Sequence, residues 1–240
     1  MLEEPKVLAV SRLHGEEQQI QHRLPLVQRW FEEVECIAER AVLLVDLNAF
    51  QLLQTQNEFC VEGKVQLVEP WTGVSSALNA AVHLAKRYEC THLLVQSLEV
   101  RAQKKDLKKL VGQVQAGVLV AGPKLTPSHG KVVGLHELHA DSIPWNTMAV
   151  WNVGLLGLVG FSPLSDEAEP RPGMEEVVPI SLLQKIRPQE AASILISLPG
   201  VRWEPADDLT LRRKISSKQA RARLQMDRLN VPTQKVQVLP

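Results

Sequence analysis

The sequence predicts a layered α/β fold. Short apolar runs alternate with amphipathic segments through its first two-thirds, and the earliest of them form a strand, helix, strand unit closed by an acid. Val7-Leu8-Ala9-Val10 reads as a buried strand, with residues 11–15 as the loop after it. Ile20, Leu24, Val27, Phe31 and Val34 then recur at helical spacing, and Pro25 is expected to kink that helix or to start a new turn. Ala41-Val42-Leu43-Leu44-Val45 forms the second strand and ends at Asp46.

A third strand is expected at 65–68. After Gly73, residues 75–86 have the small and apolar content of a packed helix, with Ser75 or Ser76 as its cap. The fourth strand covers 92–95. Leu107, Leu110, Val111 and Val114 form the stripe of the next helix, with Asp106 near its start, where the helix dipole favours negative charge. Residues 117–121 make a fifth strand, closed by Gly122-Pro123. Residues 126–141, rich in Gly, His and Ser, read as a loop or hairpin at a site edge. Residues 162–173, with Pro163, Pro170, Pro172, Asp166, Glu167 and Glu169, read as an exposed loop. Towards the end, Arg212, Arg213, Lys214, Lys218, Arg221, Arg223 and Arg228 face only Asp227, while Ile215, Ala222, Met226 and Leu229 fall at helical spacing. Two uses stand for this basic amphipathic helix: a solvated face docked on the domain, and a surface for an acidic or phosphate-rich partner.

Composition narrows the classes. With 240 residues, 45% hydrophobic and 22% charged, the chain can bury one substantial core in one or two domains. Lys plus Arg and Asp plus Glu number 27 each, so no global field favours nucleic acid or an anionic membrane. No run approaches the roughly 18 apolar residues of a spanning helix, and the charged start lacks a signal-peptide apolar core. Cys36, Cys60 and Cys90 lack the pair spacing of a zinc or redox motif, which points to a reduced, cytoplasmic setting. Neither a Gly-x-Ser-x-Gly elbow nor a P-loop occurs. His136-Glu137-Leu138-His139 spaces its imidazoles at i, i+3 instead of the zincin i, i+4, with His129 the sole nearby third ligand, so local hydrogen bonding is expected of them.

Four segments carry a family resemblance. Pro70-Trp71-Thr72-Gly73-Val74-Ser75-Ser76-Ala77-Leu78-Asn79 resembles the helix-opening pattern of family 2 glycosyltransferases, and it precedes the strand His92-Leu93-Leu94-Val95 as it does there. Trp145-Asn146-Thr147-Met148-Ala149, running on to Gly160-Phe161, is similar to the acceptor-side segment, which leads into a helix. Gly173-Met174-Glu175-Glu176, with Leu182-Leu183 after it, is similar to the Glu-Asp motif and its following helix. The resemblance implies a GT-A fold: a mostly parallel, Rossmann-like sheet with helices on both faces, plus a C-terminal basic helix. It also implies a nucleotide-diphosphate sugar bound at the carboxyl ends of the strands. Residues 1–204 would form that domain and 205–240 a basic helical tail. Ser11, Asp46, Gly73, Asn79, Ser97 and Trp145 are the positions that would line the nucleotide sugar. For Asp46 the alternative is a turn acid bonding its own downstream amides.

Where the family carries a metal-binding Asp-x-Asp, this chain reads Ser97-Leu98-Glu99. Mg2+ and Mn2+ prefer hard, charged oxygen ligands, so Ser97 is a weak substitute and Glu99 would hold an ion only together with substrate phosphates and water. By position, Glu176 is the favoured general base, Glu175 the next, with Asp166 and Glu167 as rival acids. Trp71, Trp145 and Trp151 either stack on a sugar or base, or pack in the core. Two functions follow: a divergent glycosyltransferase-like protein that moves a sugar to an unknown acceptor, and a catalytically inactive GT-A domain serving as a binding or scaffold module.

Overall fold

Apolar runs too short for helices and rich in Val and Leu become buried parallel strands. The computed structural model describes residues 4–55, 63–125, 129, 132–166, 174–204, 208–229 and 235–240. The strands are β1 (Val7–Leu13), β2 (Arg40–Val45), β3 (Val65–Leu67), β4 (His92–Gln96), β5 (Val100–Arg101), β6 (Val118–Pro123), β7 (Gly134–Glu137), β8 (Met148–Asn152), β9 (Ala192–Ile196), β10 (Arg202–Trp203) and β11 (Lys235–Leu239). The helices are α1 (Glu17–Val34), α2 (Leu47–Thr55), α3 (Val74–Arg87), α4 (Lys104–Val111), α5 (Val153–Leu156), α6 (Val177–Ile186) and α7 (Asp208–Leu229).

Nine strands form one sheet in the order β3-β2-β1-β4-β8-β6-β9-β11-β7. It is mostly parallel: β8 runs antiparallel to β4 and β6, and β7 antiparallel to β11. This is the Rossmann-like α/β sheet expected. The chain builds β2 and β3 on one side of β1 and then returns to lay β4 on the other. That reversal creates a topological switch point at the carboxyl ends of β1 and β4, where open α/β sheets bind ligands.

Local sequence explains each flanking element. The helix α1 buries Ile20, Leu24, Val27, Trp30, Phe31 and Val34 and runs on through Pro25, which lies on its exposed face. The cap of α3 differs from expectation. Neither serine caps it; Asp166, distant in sequence, accepts from the Val74 amide (3.1 Å) and the Ser75 amide (2.8 Å). Gly73 has φ +147°, and a Cβ there would lie 2.5 Å from the Asp166 carboxyl carbon, so this cap requires glycine.

The segment resembling an acceptor-side stretch forms a buried strand, β8, before the four-residue helix α5. Met148, Ala149, Val150 and Trp151 are all fully buried, as a strand between two neighbours demands. Residues 205–240 were expected as a helical tail. The basic helix forms as α7, and the chain then adds β11 to the main sheet between β9 and β7. Of the 162–173 loop, Pro163–Ser165 makes a 3-10 turn, while Glu167, Glu169, Pro170, Pro172 and Gly173 lie outside the described residues. Among the described residues, no helix is long and apolar enough to cross a membrane.

Asn79 ties α3 to the segment after α5: its side-chain oxygen accepts from the Phe161 amide and its nitrogen donates to the Phe161 carbonyl, both at 2.8 Å. Asn79→Ala strands both backbone groups, so urea denaturation should show a loss of about 2 kcal/mol. An unchanged midpoint would mean that this tie contributes nothing.

Candidate functional site

Charged side chains gather at the switch point. Arg12 and Leu13 end β1 with His14 directly after it, and Gln96 ends β4 with Ser97 directly after it. Ser97 is half-buried and its amide donates to the Thr147 carbonyl at 2.8 Å. Two residues on, Glu99 is held by the small β5–β10 ribbon: its carbonyl accepts from the Glu204 amide (2.8 Å) and its carboxylate from Trp203 Nε1 (3.3 Å). Lys214 Nζ donates to both Glu99 oxygens, at 2.8 and 2.6 Å, and Arg23 lies 3.8 Å away.

A second carboxylate pair stands at the start of α6. Glu176 has no exposed surface; its Oε1 accepts from the Asn146 amide at 3.1 Å, and its Oε2 lacks a partner. Burial first, and the neighbouring Glu175 second, push its pKa up to about 7. Glu175 is buried too, which alone would raise it. Arg12, 3.9 Å away, with Lys218 and Arg221, instead holds it below the usual carboxylate range. Two adjacent acids therefore differ in charge state near neutrality. Burial lowers the Lys218 ammonium, and the two glutamates oppose that fall.

The roof over both carboxylate groups is α7. Lys214, Lys218, Arg221 and Gln225 follow at i, i+4, i+7 and i+11, so they share one helix face. Gln225 accepts from the Met174 amide (2.6 Å) and donates to Ser165 Oγ (3.0 Å), which anchors that face. Ala222 is fully buried and Ile215 and Met226 are half-buried, whereas Arg212, Arg213, Arg223 and Arg228 are exposed. The basic helix thus divides its cations between solvent and the crevice.

Ser11 apart, the remaining candidate residues have structural partners. Asp46 caps α2, accepting from the Ala49 amide at 2.8 Å, and reaches across to the Gly15 amide at 2.9 Å, which is the turn-acid arrangement. Ser11 is internal to β1, which runs three residues further than its apolar run, and its hydroxyl is buried without a partner. Trp145 is fully buried, its ring stacked on His129 at 4.2 Å with the Lys218 ammonium 5.6 Å from its centroid, so it has no open face for a sugar. His129 accepts from the Leu125 amide and pairs with the Ile143 carbonyl, and burial lowers its pKa to about 4. His136 bonds the Val132 carbonyl and His139 lies 3.5 Å from Asp141, as local pairing predicts.

Gly73 and Asn79 make the packing contacts described above. Trp71, half-buried, stacks on His14 at 4.7 Å. Burial, then Arg12 and Arg23, lower the His14 pKa, with Asp46 opposing, so the end of β1 links the Asp46 corner to the Glu99 and Glu175 side. Sequence reasoning missed Arg12, His14, Arg23 and Asn146 as site residues; the available signal was Arg12 and His14 directly following an apolar strand.

These residues do not fit a divalent cation. Both Glu99 oxygens are taken by an ammonium, Ser97 is uncharged, and among the described residues no group of three His, Cys, Asp or Glu side chains is placed to hold an ion.

No family model and no curated protein sequence matches the chain. Solved structures do. The mannosyltransferase PcManGT from Pyrobaculum calidifontis, in complex with GDP-Man and Mn2+, matches with a TM-score of 0.60 and 13% identity over 91% of this chain and 63% of that one. S. aureus TarS 1-349 matches at TM-score 0.53 and 16% identity, over 89% of this chain and 65% of its own. A Bacillus anthracis protein assigned as a glucose-1-phosphate thymidylyltransferase matches at TM-score 0.52 and 8% identity, over 89% and 95%. The chain spans less than two-thirds of the first two. The fold is therefore GT-A, as the resemblance implied.

The raised Glu176 pKa has a stability consequence. Between pH 4.5 and about 7 the native state keeps a proton that the unfolded chain releases, so this group's contribution falls as pH rises across that window and is level above it. Glu176→Gln stays neutral throughout. Its stability relative to the natural protein should rise by on the order of 2 kcal/mol between about pH 5 and about pH 8 in parallel denaturant titrations. A difference independent of pH would remove the perturbed carboxyl.

Proposed function

We propose that the chain binds a nucleotide-diphosphate sugar at the carboxyl ends of β1 and β4 and transfers the sugar to an acceptor hydroxyl, with Glu176 as the general base. The observation that carries this reading is the Glu175–Glu176 pair, one carboxylate kept ionised and its neighbour poised near neutral pH. Glu176 takes the acceptor proton, the acceptor oxygen forms the new bond to the anomeric carbon, and the bond from that carbon to the diphosphate breaks. The nucleoside diphosphate leaves with that electron pair. The positively charged side chains of the crevice favour the charge that develops on it. Ser97 directly follows β4 at that end of the sheet, whereas Asp46 and Trp145 are engaged in the folding contacts described above.

A second reading is favoured by two observations: Glu176 has no exposed surface, and Lys214 closes on Glu99. A chain in which α7 remains seated is a binding or scaffold module without turnover.

Calorimetry with UDP- and GDP-sugars at millimolar concentration, followed by a transfer assay on any sugar that binds, separates the two. On the transferase reading the rate rises with pH through about 7, and Glu176→Gln lowers it by about 100-fold or more while binding stays within about twofold. Binding without turnover selects the module. Absence of binding to every sugar nucleotide tested rejects the transferase reading.

A further inference from the structure

The crevice holds more cationic than anionic groups. Arg12, Arg23, Lys214, Lys218 and Arg221 face Glu99, Glu175 and Glu176, and the last of these is partly protonated near neutrality. Lys214 and Glu99 cancel in a close pair. That leaves Arg12, Arg23, Lys218 and Arg221 against Glu175 and a fraction of a charge on Glu176. Two donors among them, an Arg12 guanidinium nitrogen and Arg221 Nε, are buried and without a hydrogen-bond partner. Buried, unpaired guanidinium donors are costly unless an anion completes them.

We propose that this crevice takes the diphosphate of a nucleotide sugar without a divalent cation, with the Lys214 ammonium seated on Glu99 in the metal's place and Arg12, Arg23, Lys218 and Arg221 supplying the positive charge. The inference rests on the nucleotide-sugar reading above and adds the chemistry by which the phosphates are held. Each phosphate of the ligand brings about one negative charge, which the surplus cations match in sign and number. Guanidinium forks suit phosphate oxygens, and their planar donors persist whatever the pH. Both Glu99 oxygens already accept from Lys214, which competes with a metal ion for them.

The test is calorimetry of UDP and of GDP with the full chain, once in EDTA and once in millimolar MnCl2. At least one nucleotide is expected to bind in EDTA, with an affinity within about twofold of that in Mn2+. Arg221→Gln should weaken that binding by about tenfold, the worth of a charge-assisted contact, while Arg213→Gln, on the exposed side of α7, stays within about twofold. Binding that requires Mn2+ overturns the inference and leaves the nucleotide-sugar reading standing. Binding in EDTA that Arg221→Gln does not change removes α7 from the site and also overturns it. No binding of either nucleotide under both conditions overturns the reading and the inference together. The EDTA comparison uses the natural chain, so the proposal stays testable if Arg221→Gln fails to fold.

Discussion

The whole arrangement depends on placing three carboxylates, Glu175 and Glu176 buried and Glu99 half-buried, where the parallel strands end. Glu99, Glu175 and Glu176 would be too costly to desolvate alone, since an unpaired buried charge is among the most destabilising features a fold can carry. The chain meets that cost from one helix. Lys214 closes on Glu99, and one turn later Lys218 lies among the charges of Glu175 and Glu176. Once α7 is seated for this reason, β11 follows it into the sheet between β9 and β7. The C-terminal segment therefore belongs to the site's electrostatics as well as to its packing.

Much of the fold was legible because its signals are local. Val7-Leu8-Ala9-Val10, Ala41-Val42-Leu43-Leu44-Val45 and His92-Leu93-Leu94-Val95 are apolar runs too short for helices, and they became β1, β2 and β4 at the centre of the sheet. The stripe from Ile20 to Val34 became α1. Less legible was β8, whose Met148-Ala149-Val150-Trp151 run is equally apolar as strand or helix and was decided by its two sheet neighbours. The β11 pairing could not be read at all, because a short strand such as Lys235–Leu239 is defined by partners distant in sequence.

The roles of the candidate residues were largely illegible in the sequence. Gly73, Asn79 and Asp46 each make contacts that a folding role accounts for. Gly73 admits the Asp166 carboxylate, Asn79 holds Phe161, and Asp46 caps α2. A pattern of residue types records folding and functional demands alike. The inward face of α7 was hidden for a related reason. Lys214, Lys218 and Arg221 look like a solvated stripe, and only the carboxylates opposite them, contributed by β5 and α6 neighbourhoods far away in sequence, turn that stripe inward.

A divalent ion and a lysine are unequal substitutes. The ion brings two charges to one point and needs several hard ligands to hold it there; an ammonium brings one charge and needs only an acceptor or two. Replacing the first by the second loses charge at the phosphate position. More cations must then come from elsewhere, at spacings that a diphosphate can span. A helix laid across the strand ends meets that demand, because residues at i, i+4 and i+7 stand on one face about a turn apart. Here Lys214 occupies the carboxylate, and Lys218 and Arg221 continue the row towards Arg12. On the proposed reading, the neutral Ser97 and the inward cations of α7 belong together, with charge that an ion would carry supplied by the chain.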